Sequence, residues 1–365
     1  MKSFPYAKQT IDEADREAVA AVITSEAWIT RGPKVEAFEQ AVADYCGARY
    51  AVAFNSGTSA LHAAYFAAGT GPFDRVITSP NTFVGTAVGV HALGAKLLLS
   101  DVDPITGNLD LEKLPPLDPP SRGRLIYVPV HYGGAPIDMH ALGRKITQPE
   151  AVVIEDAAAA VGATYPDGKR VGSCLHSDMT TFSFHPAKTL TTGEGGMVTT
   201  NDETLAHRLR AFRNNGLENG LSHALTGNFH MSDLNAALGL AQFARMPSMV
   251  RRRRAIVRGY RKLLADTKEI QLLPEAADVH SAHNLFVILS DFENRDAVRE
   301  ALKEKGVGTQ VHYTPLYRHP AIGGTPLPGM EQFHARALTL PLYPGLKEAN
   351  LRQIVEALQT TVRSP

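Results

Sequence analysis

Lys188 sits in the segment Ser183-Phe184-His185-Pro186-Ala187-Lys188-Thr189-Leu190-Thr191-Thr192-Gly193-Glu194-Gly195-Gly196, between two β-like stretches. Glycines there permit tight turns and close approach of backbone to a ligand. A loop lysine is ordinarily a solvated charge. A buried lysine gives up its proton more readily, and the neutral amine can form a Schiff base with an aldehyde. A second chemical group closes the apolar stretch Ile154-Glu155-Asp156. An acid in that position either caps the following alanine-rich helix or points into a cleft. A third element, Asn55-Ser56-Gly57-Thr58-Ser59, falls where a strand gives way to a helix. Free amides at the helix start, with hydroxyls beside them, make either an ordinary cap or a phosphate cradle. Ser183 offers one more hydroxyl, and Phe83 follows another strand, where it would stack on a ring or join the core.

An amine for an aldehyde, a carboxylate for a ring nitrogen and an anion cradle are together what pyridoxal phosphate (PLP) requires. Its pyridine nitrogen must stay protonated if the ring is to act as an electron sink. Asp156 precedes Lys188 by 32 residues with one strand between them, so two neighbouring strand ends can face one ring from opposite sides.

The elements that must position these residues alternate. Strands are expected at 50–54, 75–79, 95–102, 125–130, 151–154, 179–184 and 196–200, with helices at 58–68 and 84–93. Such alternation argues for an α/β fold with a mainly parallel sheet and helices on its faces. In that architecture ligands sit beyond the carboxyl ends of the strands, where all the residues above fall. Upstream, Asp12 can cap a first helix, and Thr30-Arg31-Gly32-Pro33 separates it from a second. From about residue 245 the pattern becomes a smaller α+β unit, with a helix at 251–264, strands at 284–289 and 308–312 and helices at 295–305 and 348–361. Two domains are therefore expected, 1–245 and 246–365.

Bulk properties exclude other classes. Lys plus Arg and Asp plus Glu both total 37, so no net positive field exists to attract nucleic acid or membrane. The run Arg251-Arg252-Arg253-Arg254 is read as a solvated helix face. Cys46 and Cys174 are far apart and outside any CxxC pattern, so no disulfide and no metal site is expected. The N-terminus lacks an apolar h-region and no apolar stretch is long enough to span a bilayer, which suggests a cytoplasmic protein. No GxGxxG opens the first βα unit, against a dinucleotide-binding oxidoreductase.

The run Phe182 to Gly196 resembles the lysine segment of the DegT/StrS-type sugar-nucleotide aminotransferases, within the fold-type I, aspartate aminotransferase-like superfamily. Thr30-Arg31-Gly32-Pro33 resembles the family's TxGP motif and Glu155-Asp156-Ala157-Ala158 its EDA motif. Gly227-Asn228-Phe229-His230-Met231-Ser232-Asp233 with Ala236-Ala237-Leu238-Gly239 resembles its GxNxRM…AALG segment, and Leu340-Pro341-Leu342-Tyr343-Pro344 its LPLYP motif. The similarity covers nearly the whole chain. It implies a seven-stranded central sheet, Lys188 as the Schiff-base lysine and Asp156 as the pyridine partner. It also implies Ser56, Gly57, Thr58 and Ser183 at the cofactor phosphate and Phe83 stacked on the ring. Asn228 would reach the phosphate of a neighbouring subunit, which makes the active unit a homodimer with shared sites. The sugar site is expected to draw on Tyr6, on Trp28 and Ile29, and on His312, Tyr313 and Tyr317.

Two positions depart from the family pattern. Ala159 stands where Gln or His is usual, so a contact near the ring is missing or supplied from elsewhere, and His230 replaces an Arg. Family members with His at the lysine position are dehydratases, and Lys188 argues against that branch. Phe4-Pro5-Tyr6, Phe54-Asn55-Ser56 and the stretch Gln310 to Tyr317 look most like the branch that serves pseudaminic-acid synthesis. That branch uses L-glutamate to aminate C4 of a UDP-linked 4-keto-6-deoxy-N-acetylhexosamine, for cell-surface polysaccharide or flagellin glycosylation. The alternatives are amination of another dTDP-, GDP- or UDP-linked 4-keto sugar, of the perosamine or bacillosamine type, and a non-catalytic PLP-binding regulatory relative.

Overall fold

Asp12 opens the first helix, α1 (Glu13–Thr24), with a capping box: its side chain accepts from the Asp15 amide, and its own amide donates to the Asp15 carboxylate. Pro33 takes the first position of α2 (Pro33–Cys46), where its missing N–H costs nothing, and left-handed Gly47 ends that helix. The computed structural model describes residues 3–25, 27–115, 122–275 and 280–363.

The alternating segment then runs β1 (Tyr50–Phe54), α3 (Gly57–Ala67), β2 (Arg75–Thr78), α4 (Gly85–Ala92), β3 (Lys96–Leu99), β4 (Leu125–Val128), α5 (Met139–Lys145), β5 (Val152–Asp156), β6 (Met179–Ser183), β7 (Gly196–Thr200) and α6 (Glu203–Arg213). The strands form one seven-stranded sheet in the order β1-β7-β6-β5-β4-β2-β3. Only β7 runs against its neighbours; β3, β2, β4, β5 and β6 are mutually parallel. Strands β4, β6 and β7 are buried along their whole length, as expected for a sheet covered on both faces. The core on one face includes Phe38, Phe184 and Met246, and on the other Phe54, Tyr65 and Phe212.

This order sets the carboxyl ends of β1, β2, β4, β5 and β6 along one edge. The register places Asp156 opposite Thr181, and both Phe54 and Ser183 opposite Gly196. Gly196 has no side chain where it matters: a Cβ there would lie 2.3 Å from the Ser56 carbonyl. The turn leading into α3 therefore lies flat across β7 and reaches β6.

After a short hairpin, β8 (Leu217–Glu218) and β9 (Leu221–Ser222), a single long helix α7 (Asp233–Leu264) carries the chain onward. It packs on α1 and α2 near its start and on the last helix near its end. The expected division at residue 245 falls inside this helix, which continues through Pro247 at the loss of one ladder hydrogen bond. The remaining elements are β10 (Gln271–Leu272), β11 (Phe286–Leu289), α8 (Arg295–Glu304), α9 (Pro328–Arg336), β12 (Ala337–Leu340) and α10 (Glu348–Val362). Strands β10, β11 and β12 make a small antiparallel sheet. The strand expected at 308–312 is reduced to one bridge, Gln310 to Thr339. The N-terminal segment takes its place: Gly308 donates to the Phe4 carbonyl at 2.8 Å and Leu342 to the Tyr6 carbonyl at 3.0 Å.

The arginine run corrects the sequence reading. Arg251 and Arg252 are exposed, but Arg253 is buried at 2% exposure and Arg254 is half-buried. Helical periodicity turns Arg253 inward, where it donates to the carbonyls of Leu342 (3.0 Å), His283 (3.4 Å) and Asn284 (3.5 Å). Those carbonyls end strands and loops inside the protein and need donors. Both cysteines are buried and free. Among the described residues no helix is long and apolar enough to cross a membrane.

Candidate active site

The carboxyl edge of the sheet opens into a cavity of about 590 Å³ whose lining also takes in Asn284, Leu285 and the stretch Gln310 to Tyr313. Lys188, Asp156, Ser56, Gly57, Thr58, Ser183 and Phe83 all line it. Lys188 lies on the loop after β6, which is closed by Phe184 donating to the Gly195 carbonyl and Thr192 to the Phe184 carbonyl. Asn235 of α7 braces the loop from behind by donating to the Thr192 carbonyl at 2.5 Å. The Lys188 side chain is half-buried. Desolvation pushes its pKa below the usual lysine value, against the opposing pull of the Asp156 charge. That shift enlarges the neutral, nucleophilic fraction of the amine.

Asp156 ends β5 and is 4% exposed. Thr86 Oγ1 donates to its Oδ2 at 2.7 Å, the Ala158 amide donates to Oδ1 at 3.2 Å, and Thr82 Oγ1 stands 2.8 Å from Thr86 Oγ1. The backbone at Thr86 is fixed in turn by buried Tyr65, whose hydroxyl donates to its carbonyl at 2.9 Å. A carboxylate so held is fixed in orientation at the cavity wall.

The anion cradle is the start of α3. Ser56 caps the helix by accepting from the Ser59 amide, which leaves the first-turn amides of Gly57 and Thr58 with no carbonyl behind them. A Cβ on Gly57 would come within 2.8 Å of Ser183 Cβ and 3.0 Å of its Oγ. Glycine is thus required to bring these amides beside the Ser183 hydroxyl. The group the cavity fits has a phosphate at one end, an electrophile near the Lys188 amine and a basic nitrogen near Asp156, and PLP has all three. Phe83 is 60% exposed on the cavity wall and 6.5 Å from the Tyr313 ring.

The expected sugar-binding residues divide. Tyr6, His312 and Tyr313 line the cavity. Tyr6 is delivered by the N-terminal strap, 5.6 Å from the His312 ring. Burial, then the nearby Lys188 charge, lowers His312 to about 4, so it is neutral near pH 7; its Nδ1 pairs with Thr339 Oγ1 at 2.9 Å. Tyr317 is corrected: it is buried outside the cavity, and its hydroxyl donates to Glu331 at 2.6 Å. Trp28 and Ile29 are exposed at 63% and 57%, and neither they nor exposed Asn228 line this chain's cavity. His230 pairs with Asn214 at 3.1 Å, also away from it. Ala159 lines the cavity with nothing beyond its methyl group.

Sequence reasoning missed Thr82, Thr86, His131 and Gln310. The Thr82/Thr86 spacing puts both hydroxyls on one turn and was readable; His131 follows β4 at the same sheet edge and was findable by the strand-end rule. Both nitrogens of buried His131 are occupied: Nε2 lies 2.7 Å from Glu155 Oε2, and Nδ1 accepts from the Ile137 amide at 3.3 Å. His131 therefore shapes the wall and has no nitrogen free to carry a proton to a ligand.

A lysine and a carboxylate facing one cavity across a phosphate cradle, at the carboxyl edge of a mostly parallel seven-stranded sheet, define a PLP-dependent enzyme of fold type I. The chain belongs to the DegT/DnrJ/EryC1/StrS aminotransferase family, whose model matches residues 9–359. It is similar to the spore coat polysaccharide biosynthesis protein SpsC of Bacillus subtilis (strain 168), 35% identical over 98% of this chain and 97% of that protein. Among solved structures it resembles Helicobacter pylori PseC, an aminotransferase involved in the biosynthesis of pseudoaminic acid. The identity is 27% over 99% of both chains, with a TM-score of 0.92. Spr1654 of Streptococcus pneumoniae, solved in PMP and PLP forms, is 26% identical over 99% of this chain and 98% of that chain, with a TM-score of 0.92. The protein is thus a PLP-dependent sugar aminotransferase.

Proposed function

We propose that this enzyme transfers the amino group of L-glutamate to C4 of a UDP-linked 4-keto-6-deoxy-N-acetylhexosamine, on a route to a cell-surface amino sugar. The observation that carries the reading is the placement of Lys188 and Asp156 on one cavity with the Gly57–Thr58–Ser183 cradle. PLP, when bound, supplies an aldehyde for the amine and a ring that takes up the electron pair released at the amino carbon. The chain's own residues do the rest. Gly57, Thr58 and Ser183 hold the phosphate, and Asp156, oriented by Thr86 and the Ala158 amide, balances the positive charge on the pyridine nitrogen. Lys188 Nζ would tether the cofactor at rest and be released as a free amine when the amino donor takes its place. In its neutral form it takes the proton from the amine-bearing carbon of glutamate, and in the reverse half it returns a proton to C4 of the sugar.

Tyr6, His312, Tyr313 and Gln310 form the wall facing the acceptor. With His312 uncharged, this wall contacts the sugar by neutral hydrogen bonds and aromatic faces. The likeness to PseC and the Phe4-Pro5-Tyr6 and Gln310–Tyr317 stretches support the UDP-linked N-acetyl substrate. A homodimer is part of the proposal. Trp28, Ile29, Leu221 (68% exposed) and Leu225 (98% exposed) are large apolar side chains left in water near Asn228 in sequence or across the Thr30–Ser232 bridge. A second copy would cover them and bring Asn228 to its neighbour's phosphate cradle. A cytoplasmic location is part of the proposal.

The test is a panel of UDP-, dTDP- and GDP-linked 4-keto sugars with glutamate, read by product mass. Amination of the UDP-linked N-acetyl sugar alone is expected. Amination of only a dTDP- or GDP-linked sugar overturns the substrate, and turnover retained by Lys188→Ala overturns the catalytic assignment.

A further inference from the structure

Outside the active site, three side chains with metal-ligating atoms converge on one surface point: His140, Asp167 and His176. Their ligand atoms all lie within 4.8 Å of one another. They come from separate parts of the chain. His140 stands in the first turn of α5, Asp167 in the tight turn between Tyr165 and Lys169, and His176 in the loop entering β6.

The carboxylate is aimed before any ligand arrives. Tyr165 and Lys169 pair across the turn, with the Tyr165 amide donating to the Lys169 carbonyl at 2.9 Å and left-handed Gly168 closing it. The Lys169 amide donates to Asp167 Oδ1 at 2.9 Å, which leaves Oδ2 to face the imidazoles. Oδ2 is 3.0 Å from His176 Nε2 and 3.8 Å from His140 Nε2. Ligands held tetrahedrally at about 2.0–2.1 Å from zinc stand ~3.3 Å apart. The two distances straddle that value, and rotation of the exposed His140 side chain closes the difference. The two imidazoles are only 4.3 Å apart, centroid to centroid, close enough for one cation to be shared between them. His176 is also walled by the edge of the Tyr165 ring at 5.3 Å, which limits its rotamers.

We propose that His140, Asp167 and His176 form a binding site for one first-row divalent cation of the zinc class, with water completing its coordination. Two imidazoles and one carboxylate suit such ions and not calcium or magnesium, which take oxygen ligands. The bound ion staples α5 and the Tyr165–Lys169 turn to the approach of β6. That approach is structurally connected to the sheet edge: Tyr165 and Ser177 both donate to Glu155, the neighbour of Asp156. The role assigned is structural, and no step of amino transfer passes through it.

The experiment titrates tag-free holoenzyme with Co2+ as the probe. Visible d–d absorption is followed, Zn2+ competition displaces the probe, and thermal melts with and without Zn2+ are run alongside. One Co2+ per chain is expected, with affinity falling by at least about tenfold in His140→Ala or His176→Ala, and bands and the Zn2+-dependent rise in Tm both lost in the double variant. The His140 side chain is 53% exposed, so the single variant at that position keeps the fold if the other perturbs it. Because Lys188 is untouched in all three, metal bound to the cofactor survives in the double variant. Equal Co2+ spectra in wild type and double variant, or no saturable band in wild type, overturns the proposal. A Zn2+-dependent rise in Tm of equal size in both does so as well.

Discussion

Thr86 provides the sharpest test of how the site is built. Its hydroxyl donates to Asp156 Oδ2 at 2.7 Å, and among the described residues the only other donor to that carboxylate at comparable range is the Ala158 amide at 3.2 Å. Thr82 stands 3.5 Å from Oδ2 and spends its contact on Thr86. Thr86→Val keeps the shape and removes the hydroxyl, so the perturbation is one hydrogen bond to a buried carboxylate. Such bonds are worth about 1.5–3 kcal/mol. If that energy holds the carboxylate in register with the pyridine nitrogen, its loss lowers kcat/KM by about 10- to 150-fold, at ~1.4 kcal/mol per factor of ten. Thr86→Ser restores the donor and should recover most of the rate while sacrificing a methyl contact. The assay is kcat/KM for the glutamate half-reaction on fully loaded enzyme, with unfolding free energies as the control. A Thr86→Val rate within twofold of wild type would refute the view that this hydroxyl positions Asp156. So would equal losses in Val and Ser, which would point to packing alone.

Gly57→Ala places a methyl group 2.8 Å from Ser183 Cβ, so the cradle must open. Cofactor affinity, followed by absorbance titration of the apoenzyme, should weaken by about tenfold or more, because left unmade are amide bonds to a dianion. Glu155 gathers His131, Tyr165, Ser177 and Thr180 around one buried carboxylate. Burial alone would push its pKa up, but hydrogen bonds led by His131 bring it below the usual glutamate value. A depressed carboxylate stabilises the fold above the unfolded-state pKa of about 4.3, and that contribution disappears as pH falls through the lower folded value. Glu155→Gln turns one acceptor into a donor facing donors. It should cost ~3 kcal/mol or more at pH 7 by urea denaturation, and should flatten the acid limb of the wild-type stability profile. A variant as stable as wild type at pH 7 would show the cluster to be energetically idle.

Much of the site could be read from residue order because of one geometric rule. In a mostly parallel sheet, the strands that run the same way all deliver their final residues to the same edge. Asp156 and Ser183 end strands, the Ser56–Thr58 turn comes just after one, and Lys188 a few residues after another, so their convergence was implicit in the alternation of elements. Capping chemistry was equally local: Asp12, Pro33 and Ser56 start helices for reasons contained within four residues. The sequence resemblance then pointed to the family that the whole-chain comparisons establish.

What residue order left open depends on contacts between distant segments. Tyr317 and Tyr313 share chemistry and differ by four positions, yet one is buried with its hydroxyl on Glu331 and the other lines the cavity, because contacts with the distant Pro80–Asn81 segment and not local pattern hold the chain there. Arg253 resembles its three neighbours until the helix phase carries it inward to carbonyls of Leu342 and Asn284. Tyr6 reaches the cavity only because the N-terminal strap replaces a strand at Gly308, and His140, Asp167 and His176 meet only after one helix and two loops have packed. Local sequence determines which elements form and which groups follow each strand, since backbone propensity and capping act over a few residues. Burial, the partners of each polar atom and the pKa shifts that follow are long-range properties, and only the folded chain decides them.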